Sequence, residues 1–243
     1  MNISIQSWCF RTWSEPDEII QATKSCGIEY IELGSMYVDP FRDTDYMSII
    51  NKFRSSGIEV SGHGVNGLNT NQADNRTWFE FAKAIGLNCL AVSFPKGEEM
   101  ETALCLEPLC EEFGIKIAIH NHGRKHNLGS PDALDRVFSR TSENIGLCLD
   151  TAWMLDSGYD PVEMAEKYRD RLHGVHLKDF IFERDGHPED TIIGEGNLRL
   201  EALIKLLRDT GYDEFLTIEY EGDVEDPVPN CKKCVEAIKN ILD

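Results

Sequence analysis

Strand-like segments recur at nearly constant spacing along this chain of 243 residues, and this regularity limits the folds that the chain can adopt. The first seven segments begin roughly 26 to 30 residues apart, and the last follows after about 42. Each step has room for one strand and one helix, and eight such units close a parallel barrel. The spacing therefore predicts an α/β fold, a single (β/α)8 TIM barrel over residues 1–243. The segments begin near Asn2, Ile28, Ile58, Asn88, Ile115, Ile145, His173 and Phe215.

Helix signals occupy the intervals between these segments. Three prolines stand where a helix is expected to begin, since proline is favoured at the first helical position. They are found at Glu15-Pro16, Ser130-Pro131 and Asp160-Pro161. Segment 180–197 departs from the pattern, because it is long, polar and glycine-bearing and follows the seventh strand. A long loop on the expected active-site side of a barrel is usually functional.

Charge and cysteine content limit the class of partner and the compartment. The formal net charge of −19 argues against nucleic acid and against anionic membrane surfaces, which both require clustered basic residues. Residues 1–30 show no secretory signal, and no apolar run approaches the roughly 20 residues of a membrane span. The Cys231/Cys234 pair stands alone, so helical packing is favoured over a metal or redox site. We therefore expect a cytoplasmic protein with a small-molecule substrate.

Metal-binding side chains end four of the predicted strands. His120, Asp150, His176 and Glu219 stand where the runs 116–122, 144–150, 173–179 and 215–221 turn polar. The carboxyl ends of the strands of a parallel barrel meet at one face, where active sites are built. Two imidazoles and two carboxylates suit a divalent transition metal with positions left for substrate. The sequence predicts one such ion, with Mn²⁺, Zn²⁺ or Co²⁺ favoured over Mg²⁺.

Each of these residues also has a structural interpretation. Asp150 could cap the following helix, His176 could be a satisfied core histidine, and Glu219 could pair with Lys178. On the fifth strand His120 and His122 share one face, and only one of them can take the ligand position. His120 lies deeper and is the predicted ligand, whereas His122 could contact substrate.

Five further residues near strand ends are candidates for binding a substrate. Trp8 and Trp153 could stack on the apolar face of a sugar, with packing of the barrel as an equal alternative. Glu32 and His63 end strands and are as consistent with a structural role as with substrate binding. Arg184 lies near the expected mouth, where it could bind a phosphate group or belong to the general surface charge.

Six motifs together resemble the xylose-isomerase-like sugar phosphate isomerase/epimerase barrels. The resemblance extends over nearly the whole chain, and it implies that Asp150, His176 and Glu219 are metal ligands. The family commonly has glutamate at the fifth-strand ligand position, where this chain has His120, and epimerases often have histidine where this chain has Trp153. The motifs are AIHNHG (118–123), SPDAL (130–134), CLDT (148–151), HLKD (176–179), IGEGN (193–197) and TIEYEG (217–222).

The reaction expected first is isomerisation or epimerisation of a sugar, keto-sugar or sugar phosphate, by proton transfer next to a carbonyl. Glu219 is the expected base, with Lys178 or His122 donating to oxygen. In the family that this chain resembles, epimerases use a pair of metal-bound glutamates. Of that pair, this chain retains only Glu219. A dehydratase or other lyase acting on a keto-sugar or inosose is therefore the alternative, and a non-catalytic sugar-binding barrel is a third. Barrels of this kind often pair, so a homo-oligomer is left open.

Overall fold

Residues 1–242 are described by a computed structural model in which parallel strands alternate with helices. The eight predicted strand positions are all occupied, and the predicted (β/α)8 barrel is confirmed. The strands are β1 Ile3–Gln6, β2 Tyr30–Leu33, β3 Glu59–His63, β4 Asn66–Gly67, β5 Cys89–Ser93, β6 Lys116–His120, β7 Ile145–Asp150, β8 Leu172–Leu177, β9 Asp179–Phe182, β10 Pro188–Thr191 and β11 Leu216–Ile218.

Helices follow most of the barrel strands and cover the outside of the sheet. Pro16, Pro131 and Pro161 are the first residues of their helices, as the sequence pattern predicts. The Asp160 side chain accepts a hydrogen bond from the backbone N–H of Val162, which satisfies an otherwise unpaired helix donor. The helices are α1 Pro16–Ser25, α2 Tyr46–Ser55, α3 Gln72–Ala84, α4 Glu99–Phe113, α5 Pro131–Phe138, α6 Thr151–Asp156, α7 Pro161–Lys167, α8 Leu200–Asp209 and α9 Val228–Leu242.

The strand order closes the sheet into a nearly complete barrel. Nine parallel strands are hydrogen-bonded in the order β3-β2-β1-β11-β8-β7-β6-β5-β4. The two outermost strands, β3 and β4, are successive segments of the chain on either side of Gly64 and Val65. The third barrel strand is thus divided, and it pairs with β2 through its first half and with β5 through its second.

Alternation along the strands separates the core from the barrel interior. Ile117, Ile119, Leu147 and Leu149 are fully buried members of the main apolar core, to which the helices also contribute. The residues between them point to the opposite face, where Ala118, Cys148 and Ala91 form a small separate cluster. Small side chains at this level leave the larger polar side chains at the strand ends to fill the barrel above them.

Segment 180–197, predicted as a long loop, lies largely within a β-hairpin and the chain that follows it. Strands β9 and β10 pair in antiparallel fashion, with Phe180 opposite Asp190. The Asp179 carboxylate accepts hydrogen bonds of 2.9–3.0 Å from the backbone N–H groups of Gly194, Gly196, Asn197 and Leu198. One buried side chain therefore anchors the part of the chain that returns from the hairpin to α8. No helix within residues 1–242 is long and apolar enough to cross a membrane.

Candidate metal centre and active site

The register of neighbouring strands brings the four predicted ligands together. Asp150 on β7 lies directly opposite His176 on β8, and Ile218, which precedes Glu219, lies opposite Leu177 on β8. His120 ends β6, which pairs with the other side of β7. The four side chains therefore come from four adjacent strands and enter the barrel at one level.

Each of the four residues offers one ligand atom, and all of these atoms lie within 4.8 Å of one another. Nε2 of His120 is 3.6 Å from Oδ2 of Asp150 and 3.5 Å from Oε2 of Glu219. The same Glu219 oxygen is 2.7 Å from Nδ1 of His176. All four residues are buried, with at most 7% of Glu219 exposed.

The hydrogen bonding of this cluster fits a bound cation. Both ring nitrogens of His120 and Oδ2 of Asp150 are buried and have no hydrogen-bond partner within the described chain, residues 1–242. An unpaired buried polar atom costs roughly 1–3 kcal/mol, so such atoms require compensation. A divalent ion held by these residues would compensate Nε2 of His120 and Oδ2 of Asp150, and the mixed nitrogen and oxygen donors suit zinc, manganese or cobalt. The four residues could thus hold one metal ion.

Asp150 caps a helix with one carboxylate oxygen and faces the other cluster residues with the second. Its Oδ1 accepts a hydrogen bond of 2.8 Å from the backbone N–H of Trp153 and thereby caps α6, whereas Oδ2 faces the other ligand atoms. Asn121 fixes the backbone at this point, because its amide donates to the Asp150 carbonyl and accepts from the Asp150 N–H. The cap and Asn121 together hold Oδ2 in place.

His176 lies between two carboxylates. Its Nδ1 faces Glu219, and its Nε2 is 3.1 Å from Oε2 of Glu32. The Glu32 carboxylate is itself held by Nε2 of Gln6, at 3.1 Å from Oε1. A carboxylate behind a ligating histidine fixes the tautomer and the orientation of the ring. The structure places Glu32 at the His176 ring, a position suited to orienting a metal ligand.

Electrostatic interactions within the cluster favour the ionised forms of Glu219 and His176. Burial alone would raise the pKa of Glu219, but the neighbouring His176 and His120 rings hold that pKa well below its usual value. Burial likewise opposes the charged form of His176, whereas Cys148, Glu32 and Glu219 raise its pKa well above the ordinary value. Glu219 is therefore a carboxylate in the folded protein.

Lys178 is a buried ammonium group with two acidic neighbours. Its Nζ forms a short ion pair with Glu221 and lies 3.9 Å from Asp190 of the hairpin. Burial works against the charge, but Asp150, Glu219 and Glu221 raise the pKa of Lys178. Burial also raises the pKa of Asp190 to about 6, against the opposing effect of Lys178. Lys178 thus pairs with Glu221 rather than with Glu219, and it connects the hairpin to the end of β11.

A cavity of about 350 Å³ opens at the four-residue cluster, two members of which line it. His120 and Glu219 form part of its lining, and so do Glu221 and His122. Trp8, of which 43% is exposed, and Trp153 contribute aromatic surface to it. A cavity of this size holds a small ligand, and its combination of aromatic and polar groups is typical of sugar-binding sites. Three further residues predicted from the sequence, His122, Trp8 and Trp153, therefore line this cavity, whereas Lys178 is connected to it only through its ion pair with Glu221.

His122 lies beside the cluster and is electrically neutral. Its ring centroid is 4.7 Å from that of His120, and its Nδ1 is buried without a hydrogen-bond partner inside residues 1–242. Burial, together with the charge of His120 and His126, lowers the pKa of His122 to about 3. A neutral imidazole at the wall of the cavity can donate or accept one hydrogen bond with substrate.

Three of the five residues predicted to bind substrate do not line this cavity: Glu32, which lies at the His176 ring, His63 and Arg184. His63 is buried, with Nδ1 3.0 Å from Oδ1 of Asn66 and Nε2 2.9 Å from the carbonyl of Val38. Both ring nitrogens are thus paired with protein groups. Arg184 is exposed in the turn between β9 and β10 and does not line the cavity.

Several residues that shape the site are absent from the prediction. Gln6 ends β1 directly opposite Glu32 on β2, so its position at a strand end was a usable signal. Asn121 has the same signal, because it follows β6 between the two histidines. Asp190 gave no signal, since it reaches Lys178 only because the hairpin folds over the barrel mouth.

Comparison with known proteins gives this architecture a family. The family model described as "Xylose isomerase-like TIM barrel" matches residues 20–241. The chain is 31% identical over 133 residues to an inosose dehydratase of Clostridium botulinum, covering 49% of this chain and 44% of that protein. It is 30% identical over 146 residues to the rhizopine catabolism protein MocC of Rhizobium meliloti, covering 53% and 45%. The chain thus spans about half the length of the curated relatives that it matches.

Solved structures share the complete barrel at low sequence identity. The IOLI protein with a binding zinc atom has a TM-score of 0.78 and 15% identity, covering 100% of this chain and 98% of the other. An L-ribulose 3-epimerase has a TM-score of 0.76 and 18% identity, covering 99% and 94%. At these identities the likeness concerns the fold. The fold and the extent of the family match establish that the chain belongs to the xylose isomerase-like TIM-barrel family.

Proposed function

We propose that this chain is a divalent-metal-dependent dehydratase acting on a keto-polyol, such as an inosose or a keto-sugar. The observation that carries the proposal is the buried cluster of His120, Asp150, His176 and Glu219 beneath a ligand-sized cavity. The relatives named inosose dehydratase support the substrate class. They also move elimination ahead of the isomerisation that the sequence alone favoured.

The four cluster residues would hold the metal ion, and the ion would act as a Lewis acid that polarises the substrate carbonyl. Glu219 is suited to the role of base. Its Oε2 belongs to the ligand cluster, whereas its Oε1 makes no hydrogen bond to another residue in the part of the chain that the structure describes. A carboxylate with one oxygen free at the wall of the cavity can remove a proton from the carbon next to the carbonyl.

The proposed elimination balances without any external acid. Glu219 takes the α-proton, the electron pair of the broken C–H bond forms the carbon–carbon double bond, and the β-hydroxyl group leaves. That hydroxyl group takes up the proton held by Glu219 and departs as water, so the base is regenerated. His122 would donate a hydrogen bond to a substrate oxygen, and Lys178 would orient Glu221 at the wall of the cavity.

Isomerisation is the second candidate, since two proton-carrying groups line the same cavity. Glu219 and His122 are both present there, and a proton removed by one could be returned by the other. Epimerases of the resembling family use two glutamates, and His120 replaces one of them here. This replacement makes elimination the better supported reaction, because elimination requires proton removal from only one face.

The test is to incubate the metal-loaded protein with a panel of inososes and keto-hexoses and to determine the mass of the product. Dehydration yields a product that is lighter by one water. Isomerisation keeps the molecular formula and, in deuterated water, introduces deuterium at carbon. We expect Glu219→Gln to lower kcat about 10²- to 10⁴-fold, the usual contribution of a general base. Glu225→Gln, the same change at an exposed residue a few positions on, is the control. Binding of the panel without turnover would instead indicate a sugar-binding barrel.

A further inference from the structure

A second cavity of about 560 Å³ adjoins the first one at the mouth of the barrel. The two cavities share His122 and Trp153 in their linings and therefore lie on either side of these residues. The far wall is the hairpin turn with Gly186 and His187, and the near wall is the loop that follows β6. The reacting part of a substrate bound above Glu219 would leave this second space open.

The walls of the second cavity are held together by specific contacts. The backbone N–H of Arg124 donates to Oδ2 of Asp156 at 2.9 Å, and the Arg124 guanidinium donates to the carbonyl of Gly186 at 3.0 Å. Trp153 packs edge-to-face on Phe180, with the ring centroids 5.1 Å apart. The loop, α6 and the hairpin are therefore connected around the cavity, and Trp153 is fixed at the boundary between the two spaces.

The polar groups of this wall suit a neutral ligand with many hydroxyl groups. Arg124 and Lys125 are balanced by Asp156 and Asp185, so neither sign of charge dominates. The Arg124 guanidinium is already engaged with Gly186 and, at 3.4 Å, with Asp156. It is therefore not available for the bidentate contact by which arginine binds phosphate. Donors and acceptors of both kinds, next to the ring of Trp153, match the hydroxyl groups and the apolar face of a sugar.

From this arrangement we infer that the substrate has two rings, a keto-polyol ring above Glu219 and an oxygen-linked sugar-like ring in the second cavity beside His126 and His187. This inference rests on the proposed function, since it assigns the reacting ring to the metal-binding cluster. It extends that proposal by naming a substrate class, the glycosides of keto-polyols or keto-sugars. The second ring contributes specificity through contacts that a single ring cannot reach.

The experiment compares matched compounds on the metal-loaded protein. A keto-hexose methyl glycoside supplies one ring, and the same keto-hexose within a keto-disaccharide supplies two. We expect kcat/KM to be about tenfold higher and Kd about tenfold lower for the two-ring compound, the gain of a stacked ring with one or two hydrogen bonds. A keto-hexose phosphate serves as the anionic comparison.

Variants locate the gain in the second cavity. His126→Ala and His187→Ala should each bring the two-ring to one-ring ratio of kcat/KM close to one. Lys205→Ala, which removes an exposed ion pair with Asp209 on α8, should leave the ratio unchanged. Equal values for the two compounds, or a preference for the phosphate, would overturn the inference while the dehydratase proposal stood. Failure of every compound to bind or react would overturn both.

Discussion

Nε2 of His176 lies 3.1 Å from Oε2 of Glu32, although the two residues are 144 positions apart in the chain. Glu32 lies near the end of β2 and His176 near the end of β8, so the barrel brings them together across its interior. Nδ1 of the same ring faces Glu219. Glu32 therefore occupies the position of a residue that orients a ligand, and we treat its direct contact with substrate as a separate, untested prediction.

The first prediction concerns this carboxylate. We expect Glu32→Gln to weaken metal binding about 10- to 100-fold, because an amide cannot hold the His176 ring with the strength of a carboxylate. Equilibrium dialysis or competition with a chromophoric chelator measures the affinity. Glu29→Gln makes the same change at an exposed residue three positions earlier, and it should bind metal as the wild type does. Equal affinities for both variants would remove Glu32 from the site.

The second prediction concerns Lys178 and its ion pair. Lys178→Met should lower the free energy of unfolding by up to about 3 kcal/mol, since Glu221 loses its buried partner. Removing one partner of a fully buried ion pair usually costs about 3–5 kcal/mol. The loss expected here does not exceed the lower end of that range, because 24% of the Glu221 side chain is exposed. The double variant with Glu221→Gln should recover part of the loss, because it no longer contains the unpaired carboxylate. Urea unfolding of the three variants measures the coupling, and strictly additive effects would argue against it.

The third prediction is a pH dependence of stability at the opposite end of β8. Burial, with Lys116 and Arg171 acting in the same direction, lowers the pKa of His173 to about 4, although its ring nitrogen lies 2.8 Å from the carbonyl of Glu143. The unfolded chain binds this proton near pH 6.5 and the folded chain only near pH 4, so protonation favours unfolding between those values. The stability that the neutral ring contributes is present above about pH 6.5 and is lost as the pH falls towards 4.

Urea unfolding at several pH values between 4 and 7 tests this prediction. This interval spans the pKa of His173 in the folded chain and its pKa in the unfolded chain. Wild-type protein should lose more free energy of unfolding across the range than His173→Gln does. The difference between the two proteins isolates this residue from the carboxylates that titrate in the same range. Parallel curves for the two proteins would show that His173 contributes nothing to the pH dependence.

The barrel and the ligand cluster could be predicted from the sequence because both follow from local pattern. Apolar runs at regular spacing indicate the strands, and parallel strands bring residues at their carboxyl ends to one face. His120, Asp150, His176 and Glu219 lie together for this reason alone.

The residues that surround the cluster depend on strand register and on the position of the hairpin, and the local sequence pattern contains neither. Glu32 reaches His176 through the registers of β2, β1, β11 and β8, and a single-residue shift in any of them would turn a side chain to the other face. Strand β10 has the sequence PEDT, which lacks the apolar alternation of a strand, so the hairpin was predicted as a loop. Asp190 could not be assigned to Lys178 without that hairpin.

The central claim is that four side chains from adjacent strands hold one divalent ion. The most direct measurement is the metal content of the purified protein after loading with Zn²⁺ or Mn²⁺ and removal of excess ion, alongside Asp150→Asn and the exposed control Asp132→Asn. We predict about one ion per chain for the wild type and for Asp132→Asn, and a large loss of bound ion for Asp150→Asn, because Oδ2 of Asp150 faces the other ligand atoms. A wild-type protein that retained no ion, or an Asp150→Asn protein that retained as much as the control, would contradict this claim.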